Sequence, residues 1–345
     1  MSLDQKLLQE PPVARSAYSD RTAWLMAAMS RLAYEPFEEK EWNSSDLAKR
    51  LAEVNDPSDI AGYIEDFRKQ VLAPGDLGDQ VLNKPLKSGG FRLVRIFHEI
   101  EGASEVQAFL AARESDKLAV LAFRGTQKNW RHIAMDVRAW QDQEGGSIGF
   151  REGYGIIKRQ VTSALSELED YKIYLTGHSL GGALATMAAR HLSKSSVPGI
   201  SQRVAACYSF GAPKIGDRDF QSSIKPPIYR VVHSSDIVPR LPFNLTQILA
   251  ILSWLAKLLP WVNVARGVRR WTAKYFNHVH HGDLRWVIGA EKDDQDPSVI
   301  PNPGFIEQWL HIIGHIGLNW RRRFEDHAIR KYERKLASYA RIRNR

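Results

Sequence analysis

The residues Gly177-His178-Ser179-Leu180-Gly181-Gly182 follow the apolar run Tyr174-Leu175-Thr176 and open an alanine-rich stretch. A serine fenced by glycines between a strand-like and a helix-like segment fits the G-x-S-x-G nucleophile elbow of acyl-transfer chemistry. A neutral serine hydroxyl attacks poorly, so such chemistry needs a base for its proton and N–H donors for the oxyanion that forms. It also needs a backbone turn that lifts the hydroxyl clear of the sheet. That turn is strained, and side chains at its neighbours would collide, which accounts for the glycines. The first N–H groups of the next helix then point towards the reacting oxygen.

A base must be oriented by a carboxylate. Asp236, in the stretch VVHSSDIVPRLP, follows the second strand-like run after the serine, where its plainer reading is a turn-capping aspartate before Pro239. The chain has 11 histidines. His178 adjoins the serine and is expected to point elsewhere. His98, His132 and His191 precede Asp236, and His233 lies on its strand. In the order Ser…Asp…His the base follows the acid. That leaves His278, His280, His281, His311, His315 and His327, among which spacing does not choose.

The elements that must position these groups alternate along the chain. Residues 20–34 have helical spacing, with Trp24, Leu25, Ala28, Met29 and Leu32 on one side, and 43–70 suggest two further short helices. A Gly/Pro-bearing stretch from Pro74 to Gly90 leads into three strand-like runs at 91–97, 107–113 and 118–125. A helix over 154–168, strand YKIYLT, helix LGGALATMAARHL and strands RVAACYSFG and IYRVVHS follow. Continuous apolar strands alternating with helices predict a mostly parallel sheet covered on both faces, with the reactive groups at the strands' carboxyl ends. Residues 305–340 read as one or two long helices.

Composition narrows the function classes. The single cysteine, Cys207, excludes an intramolecular disulfide, and its apolar setting predicts a buried thiol. Of the net charge of +9, ten basic against three acidic residues lie between Arg321 and Arg345. The nearly neutral remainder argues against a nucleic-acid-binding body and leaves a basic helical end, read as a solvated face or a contact for anionic lipid headgroups. Residues 245–262 are the most apolar segment, but Lys257 and Pro260 interrupt it, so a membrane span is not expected. Clusters such as His278, His280, His281 and Asp283, or His311 with His315, are read as packing histidines; neither a metal nor a cofactor is expected. The N-terminus shows no basic-then-apolar secretory pattern, which makes a cytoplasmic or peripheral-membrane location the expectation, with export by another route left open.

Several stretches taken together resemble the class 3, fungal-lipase-like branch of the α/β-hydrolases. They are LAFRGTQKNWRHIAMD (121–136), FREGY (150–154), GHSLGG, SFGAPKIGD (209–217), VVHSSDIVPRLP and DHAIRKY (326–332), in the family's order across about residues 91–332. The resemblance implies an α/β-hydrolase fold with a mostly parallel central sheet, preceded by a helical segment and followed by a helical extension. It implies Ser179 as nucleophile, Asp236 as acid and His327 as base, with His280 or His281 as reserves. The N–H groups of Thr126 and Leu180 would form the oxyanion hole, and residues 127–138 a lid. It further implies hydrolysis of lipid carboxylic esters of acylglycerol type without a cofactor. A phospholipase or short-chain esterase on the same site is the alternative. From another class, a catalytically silent protein bound to lipid surfaces would keep the fold. On this reading the chain is one domain: an N-terminal helical part (1–85), a catalytic core (91–332) with an apolar insertion (240–275), and a basic tail (333–345). Arg151 departs from the pattern, standing where the family often has histidine.

Overall fold

The structure, a computed structural model, describes residues 3–8, 16–35, 74–101, 104–125, 148–216, 218–234, 236, 238–240, 280–289, 296–304, 307–308 and 327–343. Its strands are β1 (Arg92–Glu101), β2 (Ser104–Arg113), β3 (Leu118–Phe123), β4 (Lys172–His178), β5 (Val204–Phe210), β6 (Ile228–His233), β7 (Asp283–Ile288) and β8 (Ser298–Pro301). They lie side by side in that order as one eight-stranded sheet. The helices are α1 (Gln5–Leu8), α2 (Asp20–Leu32), α3 (Pro74–Ser88), α4 (Ile148–Ser166), α5 (Leu180–Leu192), α6 (Ile200–Arg203), α7 (Arg218–Ser222) and α8 (Ile329–Arg343).

Connection length sets strand direction. The tight turn between Arg113 and Leu118, with Lys117 at φ 50°, permits only an antiparallel step, and β1–β2–β3 form an antiparallel meander. Longer connections carrying helices make β3 to β7 parallel, and β8 returns antiparallel to β7. On β3, Ala119, Leu121 and Phe123 face one layer while Leu118, Val120 and Ala122 face the other. A strand buried on both faces therefore reads as an unbroken apolar run.

That alternation defines two cores. Because β3 to β6 step across the sheet in one direction, crossovers of one hand place α4 and α5 on the same face. There Phe150, Ile157, Val161 and Leu184 pack on Ala119, Leu121 and Phe123. The opposite face is covered by chain from outside these crossovers: α2 and α8 pack there on Val120, Tyr174 and Tyr208. Ser19 caps α2, its Oγ accepting the Thr22 N–H at 3.5 Å. Lying between sheet and α8, α2 is buried from Thr22 to Leu32, not only on the stripe its spacing predicts. Even Arg31 is buried, where it pairs with Glu35 at 3.0 Å and with Glu333 of α8 at 2.6 Å.

Three regions differ from the sequence reading. The stretch from Pro74 to Gly90 is largely the helix α3, whose Leu82 and Leu86, one turn apart, are buried together. The basic tail of 333–345 is, as far as Arg343, the body of α8: Leu336, Ala337 and Ala340 are buried, Lys335 is buried too, and Arg341 and Arg343 pair with Asp4 and Asp20. Strands β7 and β8 carry no continuous apolar run: β8 is the sheet's edge strand, with Val299 its one buried residue, and β7 beside it buries only Leu284, Trp286 and Val287. Residues 43–70, 127–138, 245–262 and 309–326, like Thr126, His132, His278, His311 and His315, lie outside the described residues. Among the described residues no helix is long and apolar enough to cross a membrane.

Candidate active site

At the carboxyl end of β4 the chain turns into α5 through Ser179, which has φ 57° and ψ −128°. A non-glycine residue in such a region costs on the order of 1–3 kcal/mol and must be held by its surroundings. Its N–H donates to the Phe210 carbonyl at 2.9 Å, and its carbonyl accepts from the Gly182 N–H at 3.0 Å. The flanking glycines are steric necessities. A Cβ on Gly177 would overlap the Gly181 carbonyl, and one on Gly181 would overlap the Phe123 carbonyl at the end of β3. Leu180 is the first residue of α5 and is buried. Thr126 lies outside the described residues. Gly125, just before it, passes so near that its Cβ would lie 3.2 Å from the Ser179 Cβ.

Asp236 follows β6 and is fully buried. Its Oδ2 accepts from His327 Nδ1 at 2.8 Å and from the Tyr332 hydroxyl at 2.5 Å. Its Oδ1 accepts the Val238 N–H at 2.9 Å. Three donors thus converge on this buried carboxyl group, as burial of a polar group requires. Gly211, at φ +57° after β5, leaves room for this pair: a Cβ there would sit 2.7 Å from Asp236 Oδ2 and 3.0 Å from His327 Nδ1.

His327 stands two residues before α8. With Nδ1 on the carboxylate, its Nε2 is buried and has no hydrogen-bond partner among the described residues; the same holds for Ser179 Oγ. The reserve candidates go elsewhere. His280 Nε2 donates to the Pro239 carbonyl at 2.6 Å, and burial pushes its imidazole well below the usual range. His281 is also pushed down, first by burial and then by Arg230. Asp283 heads β7 and faces Arg285 at 3.5 Å. Among the described residues no group of three or more His, Cys, Asp or Glu side chains could hold a metal ion.

Sequence reasoning missed the groups that brace this pair. His178 turns away from its neighbour: Nε2 lies 2.6 Å from the His327 carbonyl, and Nδ1 2.8 Å from the Tyr34 hydroxyl. A carbonyl only accepts, so Nε2 carries the proton, and Nδ1 accepts from Tyr34. Burial, reinforced by His327, holds the His178 imidazole far below its ordinary pKa and hence neutral. Tyr34, just past α2, thus reaches the base through His178. Tyr332 couples Asp236 to β6 as well, accepting the His233 N–H at 3.0 Å. Lys335, one turn on, donates to His233 Nε2 and the Gly289 carbonyl. No local spacing marks these residues; only the packing of α2 and α8 on the sheet brings them in. Cys207 is buried in β5, and desolvation pushes its thiol up to about 12.

A serine on a strand–turn–helix elbow, at the carboxyl edge of a largely parallel sheet and beside a buried Asp–His pair, belongs to the α/β-hydrolase class. Residues 120–246 match the family model described as Lipase (class 3). It is 37% identical over 101 residues to "Triacylglycerol lipase OBL1" of Arabidopsis thaliana, covering 27% of this chain and 20% of that protein. It is 32% identical over 149 residues to "Secreted mono- and diacylglycerol lipase 1" of Fusarium solani, covering 40% and 43%. The chain thus spans less than half the length of these curated relatives. Among solved structures, a lipase from Rhizopus microsporus var. chinensis aligns with a TM-score of 0.45 at 23% identity, over 63% of this chain and 67% of that one.

Proposed function

We propose that this protein is a serine hydrolase that cleaves carboxylic esters of acylglycerol-type lipids through an acyl-enzyme. The observation that carries the reading is the 2.8 Å bond from His327 to Asp236, with His327 Nε2 and the strained Ser179 Oγ both left unpartnered among the described residues. Asp236 holds the imidazole so that Nε2 presents its lone pair. His327 takes the Ser179 proton as Oγ attacks the ester carbonyl, and the N–H groups of Leu180 and Thr126 receive the oxyanion. The C–O bond then breaks, and the alcohol leaves with the proton from His327. Water, deprotonated by the same histidine, releases the fatty acid and restores Ser179. The family segment supports lipid esters as the substrate class.

Peripheral contact with an anionic lipid surface, from the cytoplasmic side, belongs to the same proposal. It is supported by the exposed Arg330 on α8.

A fluorophosphonate probe tests the enzyme reading: the intact protein is labelled at Ser179, and the Ser179→Ala variant is not. An unlabelled but folded protein overturns it in favour of a binding protein. His327→Ala loses turnover by orders of magnitude, whereas His280→Ala keeps it; the reverse pattern moves the base. A panel of p-nitrophenyl esters, triacylglycerols and phospholipids tests the substrate class, and faster turnover of phospholipids would overturn the acylglycerol assignment.

A further inference from the structure

A groove of about 750 Å³ runs over the outer side of α4 and α5, and Ser179 does not line it. Arg151, Lys158 and Arg159 reach it from α4, Arg190 from the last turn of α5, and Lys194 from the turn beyond. No aspartate or glutamate lines it among the described residues. Arg151, Lys158, Arg159 and Lys194 make no ion pair among the described residues, whereas Arg341 and Arg343 of α8 are paired with Asp4 and Asp20. The groove therefore gathers several cations that no described carboxylate neutralises.

Helix dipoles explain only part of this cluster. Cations at the end of α5 suit its negative pole. The three on α4 have no such reason, for the last turn of α4 carries no basic residue. Arg190 is held ready: its Nε donates to Ser223 Oγ at 2.6 Å, and its guanidinium lies over the Phe220 ring at 4.6 Å. Tyr154 and His191, 3.1 Å apart, join the two helices within the groove. The positive field registers at His191, whose imidazole burial first and Lys158 second push down to about 4. Hydroxyls of Ser163 and Ser195 add neutral donors along the walls.

We propose that this groove is a binding site for a compact anion with clustered phosphate groups, clamped between Lys158 and Arg159 on one side and Arg190 and Lys194 on the other. Guanidinium and ammonium groups form charge-assisted hydrogen bonds to phosphate oxygens, and Arg does so in a fixed fork. Like charges gathered without partners repel one another, so an anion that neutralises them favours the folded state. The same phosphate chemistry is offered by a polyphosphorylated lipid headgroup and by a soluble polyphosphate.

The test uses the full chain and tripolyphosphate in calorimetric titration at about 0.1 M salt, where exposed charges are not fully screened. The intact protein binds; Lys158→Glu with Arg159→Glu weakens binding by about tenfold or more, the scale of losing charge-assisted bonds. Reversing Lys172 and Lys225, exposed residues outside the groove, changes it by less than about twofold. Circular dichroism and hydrolysis of a soluble short ester check the fold. If the double variant fails to fold, Lys194→Glu, beyond α5, serves as the second variant and weakens binding likewise. A flotation arm with phosphatidylcholine vesicles, with and without phosphatidylinositol 4-phosphate, separates the sources. Retention only on the phosphorylated lipid, competed by tripolyphosphate, identifies a headgroup; tripolyphosphate binding without retention identifies a soluble anion. Absence of tripolyphosphate binding at millimolar concentration, or equal losses in the Lys172/Lys225 variant, overturns the proposal.

Discussion

Ser179 is held in a backbone region that glycine tolerates and serine does not, so its strain and its proposed chemistry are separable. Ser179→Ala removes the hydroxyl but keeps the strain; Ser179→Gly removes both. Both variants are expected to be inactive, with Ser179→Gly the more stable by about 1 kcal/mol against urea. Equal midpoints would mean that the turn relaxes around the serine. His178 makes a second prediction. It is neutral in the fold because burial, then His327, lowers its pKa, while the unfolded chain takes up a proton near the ordinary value of about 6.5. Its contribution is complete above that pH and is lost as the pH falls towards the folded pKa, with a slope of up to about 1.4 kcal/mol per pH unit. His178→Gln should flatten the loss of stability between pH 6.5 and 5 relative to the intact protein. Unchanged slopes in urea titrations at the two pH values would assign the acid sensitivity to His191 and His280, which burial lowers in the same direction.

At the scale of elements, α8 does two jobs. One face carries Tyr332, which donates to Asp236, and continues through Leu336 and Ala340 into the core against α2. The other face is basic. Leu336→Ala should therefore cost about 2–5 kcal/mol, as for other large-to-small core changes, and truncation after Tyr332 should unfold the region around Asp236. Removing Arg341, whose partner Asp4 is reached only at the surface, should leave the midpoint nearly unchanged. Thermal unfolding followed by circular dichroism distinguishes these outcomes. If truncation after Tyr332 leaves midpoint and turnover intact, α8 is an appendage and not a wall of the core.

At the scale of the molecule, one face of the sheet is closed by its own crossovers and the other by the two ends of the described chain. The Arg31–Glu333 pair spans those ends and lies between α2 and α8. The charge is as unevenly spread as the layers. Contact of α8 with an anionic membrane would be made through the exposed Arg330, since Lys335 is buried and Arg341 and Arg343 are paired. Each basic residue near such a surface contributes on the order of 1 kcal/mol, screened by salt. Arg330→Glu should weaken binding to phosphatidylserine vesicles severalfold at about 0.1 M salt, with the difference shrinking as salt rises. A salt-independent affinity, or equal binding to neutral vesicles, would remove α8 from membrane contact.

Residues 174–192 carried strand, elbow and helix in the sequence because each is set by local rules: apolar continuity, steric room beside a strained turn, and helical periodicity. The same holds for β3, β5 and β6, whose two buried faces leave unbroken apolar runs. Periodicity was a poorer guide where burial was not local: α2 is apolar around most of its circumference because α8 covers its outer side, and β7 and β8 are only partly buried because they lie at or next to the sheet's edge. The histidine facing Asp236 could not be read from spacing, since the two are 91 residues apart and meet only once the sheet order and the packing of α8 are set. Tyr34, His178 and Tyr332 gained their places in the same way. The cations of the α4–α5 groove, scattered between Arg151 and Lys194, look in sequence like ordinary solvated charges. Only the packing of two helices on one face of the sheet gathers them, because side chains distant along the chain become neighbours through tertiary contacts and not through any period of the sequence.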